Sequence, residues 1–159
     1  RELARQMVAG GSGPVVPRAA AALVAFGGCA ELDEALTRRA GPVDPADAAA
    51  LAVAGAACDL RRGTRHHLSR LEELAAAGEL PIEGHAFLAT ARLGEGESIG
   101  STLAGFPRSY DRYSVLRAFA QAARAGDRET AAVELEERLA GVLVSPCRPA
   151  VAAAGAERR

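Results

Sequence analysis

Two of the chain's three histidines stand side by side in the segment Asp59–Arg70, whose sequence is DLRRGTRHHLSR. Imidazole has an ordinary pKa of about 6.5, so a histidine in a pocket exchanges protons near neutral pH. If one helix continues through Gly63, His67 falls on an apolar stripe with Leu60, Thr64, Leu71 and Leu74. His67 is then either an acid–base or ligand group between helices, or a core histidine with one hydrogen-bond partner, which is the plainer interpretation.

The same segment carries four arginines, and Arg62 and Arg65 fall on the side opposite His67. This face suits a phosphate or an acidic partner, because guanidinium groups bind such oxygens with paired hydrogen bonds. It equally suits a solvated surface on which the arginines pair with the nearby Glu72 and Glu73. The second interpretation is the simpler one.

Aromatic residues are scarce and cluster around the segment Phe106–Tyr113, FPRSYDRY. The chain has four phenylalanines, two tyrosines and no tryptophan, and four of these rings fall between positions 106 and 119. Pro107 ends one element just before Ser109 starts the next, which leaves backbone N–H groups free for an anion. We therefore expect a ligand with a carboxylate or phosphate to bind here, with His67 as the nearest titratable group, at Phe106, Arg108, Tyr110, Arg112 and Tyr113. The alternative is that the rings only close one end of a helical bundle.

A small enzyme is the alternative to a binding protein. Titratable groups and aromatic rings coexist in a chain that is poor in both, and a pocket between helices would allow acid–base chemistry. The candidate catalytic residues are His67, His85, Tyr110 and Asp111. The sequence contains no G-x-S-x-G elbow and no dinucleotide-binding fingerprint, so it predicts no nucleotide cofactor.

Metal binding is not predicted. Glu83 and His85 are two residues apart and point to different sides of a helix, and the adjacent His66 and His67 also diverge. The chain has no H-E-x-x-H spacing that would place two imidazoles on one helical face. We expect neither a metal nor any other cofactor.

Composition and charge favour one globular domain. The chain has 159 residues, 49% of them hydrophobic and 25% charged, with a formal net charge of −1. This charge argues against binding to nucleic acid or to an anionic membrane surface, and no apolar run reaches the roughly 18 residues of a membrane span. All 19 lysine-or-arginine positions are arginine, and we expect this to reflect the codon bias of a GC-rich genome, that of a bacterium.

Cys29, Cys58 and Cys147 are widely spaced and odd in number. This pattern predicts reduced thiols in a cytoplasmic protein rather than a disulfide framework or a thiolate zinc site. Cys58 lies in an alanine-rich stretch and is expected to be a small core residue.

Helical periodicity dominates the chain, and it predicts an all-α bundle of five to seven helices. A long pattern starts at Asp44-Pro45 and runs to Ala77, with Gly63 as a kink or break. The other helical segments are 1–9, 18–26 (starting at Pro17), 30–39, 82–93, 109–125 and 128–144, with a loop at 94–100. The last two helices form an αα-hairpin around Gly126, with Asp127 expected to cap the second. Residues 1–144 form the predicted domain, and residues 145–159 a loose tail.

The favoured function is that of a helical accessory or regulatory protein that binds a small ligand or a partner protein. The absence of a catalytic signature, the arginine face and the aromatic cluster support it. We also expect a homodimer, because the alanine-rich faces at 19–25 and 46–57 allow close approach of another helix.

Overall fold

The apolar periodicity of the sequence becomes nine α-helices in the residues that the structure describes, 1–39 and 43–144. In these residues the computed structural model contains no strand, which confirms the all-α prediction. The helices are α1 (Glu2–Gly10), α2 (Val15–Ala25), α3 (Cys29–Arg38), α4 (Pro45–Arg62), α5 (His66–Ala76), α6 (Ile82–Gly94), α7 (Ile99–Ala104), α8 (Arg112–Ala125) and α9 (Glu129–Val144). Their number exceeds the predicted five to seven.

Short polar side chains cap three of the helices, and the sequence analysis predicted one of these starts, that at Asp44. Asp44, Ser98 and Asp111 each accept a hydrogen bond from a backbone N–H in the first turn of their helix, at 2.9, 3.1 and 2.9 Å. Pro45 follows Asp44 as the first residue of α4, where a missing N–H has no cost. The predicted start at Asp44-Pro45 is confirmed.

Gly63 breaks the long helical pattern rather than kinking it. It has φ +69°, the left-handed conformation that glycine adopts readily, and it ends α4. The new helix begins at His66, and its free N–H groups are capped by a residue of the preceding helix. The Asp59 carboxylate, 3% exposed, accepts hydrogen bonds from His67 N at 2.6 Å and Leu68 N at 2.9 Å. The single stripe through Gly63 that placed His67 is therefore wrong.

Three predicted helix starts also differ from the structure, and the first is that of α8, which begins at Arg112 and not at Ser109. Helix α2 begins at Val15, two residues before Pro17, and the proline is tolerated because the first four N–H groups of a helix have no partner in it. Asp127 has φ +57° and lies just past the end of α8 instead of capping α9. Its N–H binds Arg124 O at 3.1 Å, and Arg128 N binds Ala123 O at 2.8 Å, the pair of bonds typical of a Schellman motif.

Helices α4, α6 and α8 carry the core. Helix α4 packs against α2, α5 and α6, while α8 packs against α6 and α9. Leu116, Phe119 and Leu135 are at most 1% exposed, and Leu139 is partly buried beside them. The predicted αα-hairpin is formed by α8 and α9.

A disulfide bond joins Cys29, the first residue of α3, to Cys58 in α4. The two Cα atoms are 5.6 Å apart although 29 positions separate them in sequence. The expectation of reduced thiols at these two positions is wrong, because the packing of α3 against α4 brings together cysteines that sequence spacing does not connect. Cys58 is buried, as expected.

No helix within residues 1–39 and 43–144 is both long enough and apolar enough to cross a membrane. The predicted tail at 145–159, which contains Cys147, lies outside the described residues.

Candidate functional site

Three aromatic rings meet where α6 faces the segment between α7 and α8. One ring, His85, comes from α6, and the other two, Phe106 and Tyr110, come from that segment. The centroid of the His85 ring lies 6.3 Å from that of Phe106 and 6.2 Å from that of Tyr110. Phe106 in turn lies 5.8 Å from the buried ring of Phe119, which fixes its position. The Tyr110 hydroxyl donates to Leu80 O at 3.4 Å, so the start of α8 lies beside the start of α6. The aromatic segment and His85 thus form one cluster.

Phe106 lines two cavities. The larger has a volume of about 330 Å³, with Tyr110, Arg108 and Arg112 in its wall and Leu103 and Leu116 among its apolar residues. The smaller measures about 190 Å³, and His85, Arg92 and Phe106 line it. Each cavity therefore combines apolar surface with guanidinium groups, which suits a ligand that has an apolar body and an anionic group.

The three arginines at these cavities differ from most others in the fold. Within residues 1–39 and 43–142, whose side chains are described, Arg92, Arg108 and Arg112 have no hydrogen-bond or ion-pair partner. All three are exposed, and each lines one of the two cavities. A Cβ at position 105 would lie 3.3 Å from Arg92 Nη1, so Gly105 leaves room for the guanidinium. We call Arg92, Arg108, Arg112, His85, Phe106 and Tyr110 the Phe106 site.

His85 is the titratable group of the Phe106 site. Burial lowers its pKa below the ordinary value of 6.5, and the positive charge of Arg92 lowers it further. The lowered pKa favours the neutral imidazole, in which one nitrogen donates a hydrogen bond and the other accepts one. Helix α6 carries both residues on one face, since seven positions correspond to about two turns.

Asp111 and Tyr113 have different surroundings from the rest of the predicted segment. The Asp111 carboxylate accepts from Ser114 N at 2.9 Å and from the Ser114 hydroxyl at 2.6 Å, and these bonds lower its pKa. Its observed role is to cap α8. Tyr113 is 37% exposed, and it is not among the residues that line the two cavities.

His67 belongs to a separate polar cluster where α3, α4 and α5 meet. Its ring covers Gly55 of α4, and its Nε2 lies 3.6 Å from Asp33 Oδ1. Arg62 binds the other oxygen of the same carboxylate at 2.5 Å, and the His66 ring lies 4.9 Å from that of His67. The titratable group beside the aromatic segment is His85, in place of the expected His67.

The arginines of Asp59–Arg70 are engaged in contacts within the fold. Arg65 binds Glu72 at 2.6 Å and also binds Glu95, and Arg70 binds Glu73 at 2.5 Å. The solvated, paired surface was thus the better of the two interpretations. Arg61 instead donates to backbone carbonyl oxygens, Val24 O at 3.1 Å and Ala125 O at 2.7 Å.

Arg92 is the member of the Phe106 site that the sequence analysis missed. Its position seven residues after His85 was a usable signal, because such residues share a helical face. Among the described residues, no group of three or more histidine, cysteine, aspartate or glutamate side chains is arranged to hold a metal ion.

The comparisons with known proteins give no family for this fold. No protein-family model matches the chain, and no curated protein or solved structure matches it either.

Proposed function

We propose that this protein is a helical binding module, with an accessory or regulatory role, that holds a small anionic ligand at the Phe106 site. One observation carries the proposal: Arg92, Arg108 and Arg112 line the two cavities that share Phe106, and none has a partner among the described side chains. A carboxylate or phosphate on the ligand would supply the missing partner, since such groups accept paired hydrogen bonds from arginine.

The shape of the site limits the size of the ligand. Ligand cavities commonly measure about 300–1,000 Å³, and the larger cavity here, at about 330 Å³, lies at the lower end of that range. Phe106 and Tyr110 offer ring surfaces against which a flat apolar group can pack. We therefore propose an aromatic or short apolar acid, and neither a nucleic acid nor a membrane, as the ligand.

Titration calorimetry with defined probes tests the proposal. Benzoate and phenyl phosphate should bind, while uncharged benzamide should bind much more weakly. Arg108→Gln and Arg112→Gln, which change the wall of the larger cavity, should each weaken phenyl phosphate binding by about tenfold or more, because a hydrogen bond to a charged group contributes about 1.5–3 kcal/mol. Arg92→Gln changes the smaller cavity and should weaken the binding less.

Arg117→Gln is the matched control. Arg117 is an exposed residue of α8, it also lacks a partner among the described side chains, and it is not among the residues lining the two cavities. Equal loss of binding in this variant, or no binding of either anion at millimolar concentration, would rule out the Phe106 site.

A small enzyme without a nucleotide cofactor is the second candidate. One observation favours it: His85 and Arg92 line the same cavity, so a base whose pKa is lowered by burial and an anion-binding group face one space. Of the other catalytic candidates, Tyr110 contacts His85, Asp111 caps α8, and His67 lies in the other cluster. The enzyme hypothesis predicts that the wild-type protein converts a bound acid chemically. The His85→Gln variant should still bind this acid but should no longer convert it.

Localisation and oligomeric state stay predictions. We also propose a bacterial origin, and the use of arginine at every lysine-or-arginine position supports it. The Cys29–Cys58 bond argues against the predicted cytoplasm, because disulfides are rare in reducing compartments. Cell fractionation with thiol labelling would decide the location. A homodimer remains our proposal.

A further inference from the structure

A long apolar groove lies apart from the Phe106 site, since the residues that line it differ from those of that site. Its volume is about 680 Å³, and α2, α4 and α6 form it. One face of α4 is its floor, with Ala46, Ala50, Val53 and Ala54, none of which is fully buried. Both alanine-rich faces that the sequence analysis singled out, at 19–25 and 46–57, therefore line one groove.

The two ends of the groove carry opposite charge. At one end, Arg61 donates to Val24 O in the last turn of α2 and to Ala125 O at the end of α8, so the carboxyl ends of α2, α4 and α8 meet there. Helices α4 and α5 form a hairpin through Gly63, which directs the end of α5 back toward the start of α4. Glu79 and Glu83, which follow α5, thus lie at the other end, and neither has an ion-pair partner within the described side chains.

Helix α2 forms one wall of the groove and also presents an exposed apolar ridge. Ala21 and Ala25 line the groove and are exposed, Val15 is 45% exposed, and Phe26 just after the helix is 68% exposed. The one charged residue of α2 is Arg18, in the first turn. Its side chain has no partner among the described side chains.

We propose that the occupant of this groove is a second copy of the chain, with α2 of each protomer lying in the groove of the other. The small side chains of the floor allow helix axes to approach to about 8 Å. Arg18 and the two glutamates complement each other only if the two α2 helices run parallel. In the parallel orientation, Arg18 of one protomer lies at the end of the other protomer's groove that carries Glu79 and Glu83, and away from Arg61.

Such an arrangement has a twofold axis roughly along the helices, so both Arg18–glutamate contacts form at once. The proposal assigns a surface to the homodimer proposed above and rests on that homodimer. It is independent of ligand binding at the Phe106 site.

Charge reversal tests the surface directly. Wild-type protein should sediment as a dimer at micromolar concentration. Arg18→Glu, and separately the pair Glu79→Arg with Glu83→Arg, should raise the dimer dissociation constant by about tenfold or more, since each places like charges together. Combining all three changes in one chain should restore the dimer, because the contacts re-form with opposite sign. Arg117→Glu, the same charge change at an exposed residue of α8, should leave dimerisation unchanged.

The outcomes separate the surface from the homodimer itself. A wild-type monomer up to about 100 micromolar would overturn both. A wild-type dimer that tolerates either reversal, or a triple variant that stays monomeric while folded by circular dichroism, would overturn the groove as the interface and leave the homodimer standing. As a second probe, Ala54→Trp fills the floor of the groove and should abolish the dimer in a folded protein.

Discussion

At the scale of single residues, the position of the His67 ring explains why residue 55 is a glycine. Glycine in a helix interior costs about 1 kcal/mol relative to alanine, yet it occupies the middle of α4. The reason is His67, whose ring atoms would lie 2.3–2.5 Å from a Cβ at this position. We expect Gly55→Ala to destabilise the protein by about 1–3 kcal/mol, because a rigid imidazole must move. Urea unfolding measures this change.

The same pair allows an internal check. His67→Ala in the Gly55→Ala background should recover most of the lost stability, since the clash disappears. Gly100→Ala is the matched control, because its Cβ would meet nothing nearer than Ser98 Oγ at 3.8 Å. A Gly55→Ala variant no less stable than the wild type would mean that the ring does not occupy this space.

His85 should give the protein a sensitivity to acid. Its pKa is lowered in the folded state, mainly by burial and then by Arg92, whereas in the unfolded chain it has the ordinary value of about 6.5. The unfolded state therefore binds the proton more readily, and the contribution to stability is complete above pH 6.5 and lost as the pH falls through the folded-state pKa.

His85→Gln should make the urea midpoint less dependent on pH between 7.5 and 5.5 than in the wild type. Between pH 7.5 and 8.5, where this histidine is neutral in both states, wild type and variant should show the same dependence. If the urea midpoint of both proteins depends on pH in the same way down to pH 5.5, the imidazole is not buried as described.

At the scale of helices, the connection between α8 and α9 uses an aspartate where glycine is usual. Asp127 has φ +57°, which costs an ordinary residue about 1–2 kcal/mol and costs glycine little. Asp127→Gly should therefore stabilise the protein by about 0.5–1 kcal/mol. The 3.9 Å contact with Arg61 that is lost is exposed and contributes little. A fall in the thermal midpoint would contradict this account and favour a capping role instead.

Local sequence signals predicted helices well and their junctions less well. The α8–α9 hairpin was predictable because two periodic apolar patterns flank Gly126 at short spacing. Gly63 was ambiguous, since a glycine within a long pattern either continues a helix or ends it in the left-handed conformation. The deciding interaction, the capping of α5 by buried Asp59, depends on a side chain from the preceding helix.

At the scale of the whole molecule, the candidate site was predictable only in part. The aromatic segment with Arg108 and Arg112 was visible because its residues adjoin in sequence. Its pairing with His85 and Arg92 was not, since it requires the starts of α6 and α8 to lie side by side. His67 was misplaced because the break at Gly63 redirects α5 relative to α4, which the sequence pattern did not decide.

The Cys29–Cys58 disulfide is the covalent link between α3 and α4 and should stabilise the whole fold. Closing a loop of 29 positions restricts the unfolded chain, which corresponds to about 3–4 kcal/mol at 25 °C in the chain-entropy account. The double variant Cys29→Ala with Cys58→Ala should therefore unfold at a clearly lower urea concentration than the wild type. Adding a reductant should lower the wild-type midpoint toward that of the variant and leave the variant, which retains Cys147, unchanged. If the reductant shifts both proteins equally, or neither, the bond does not contribute to stability as described.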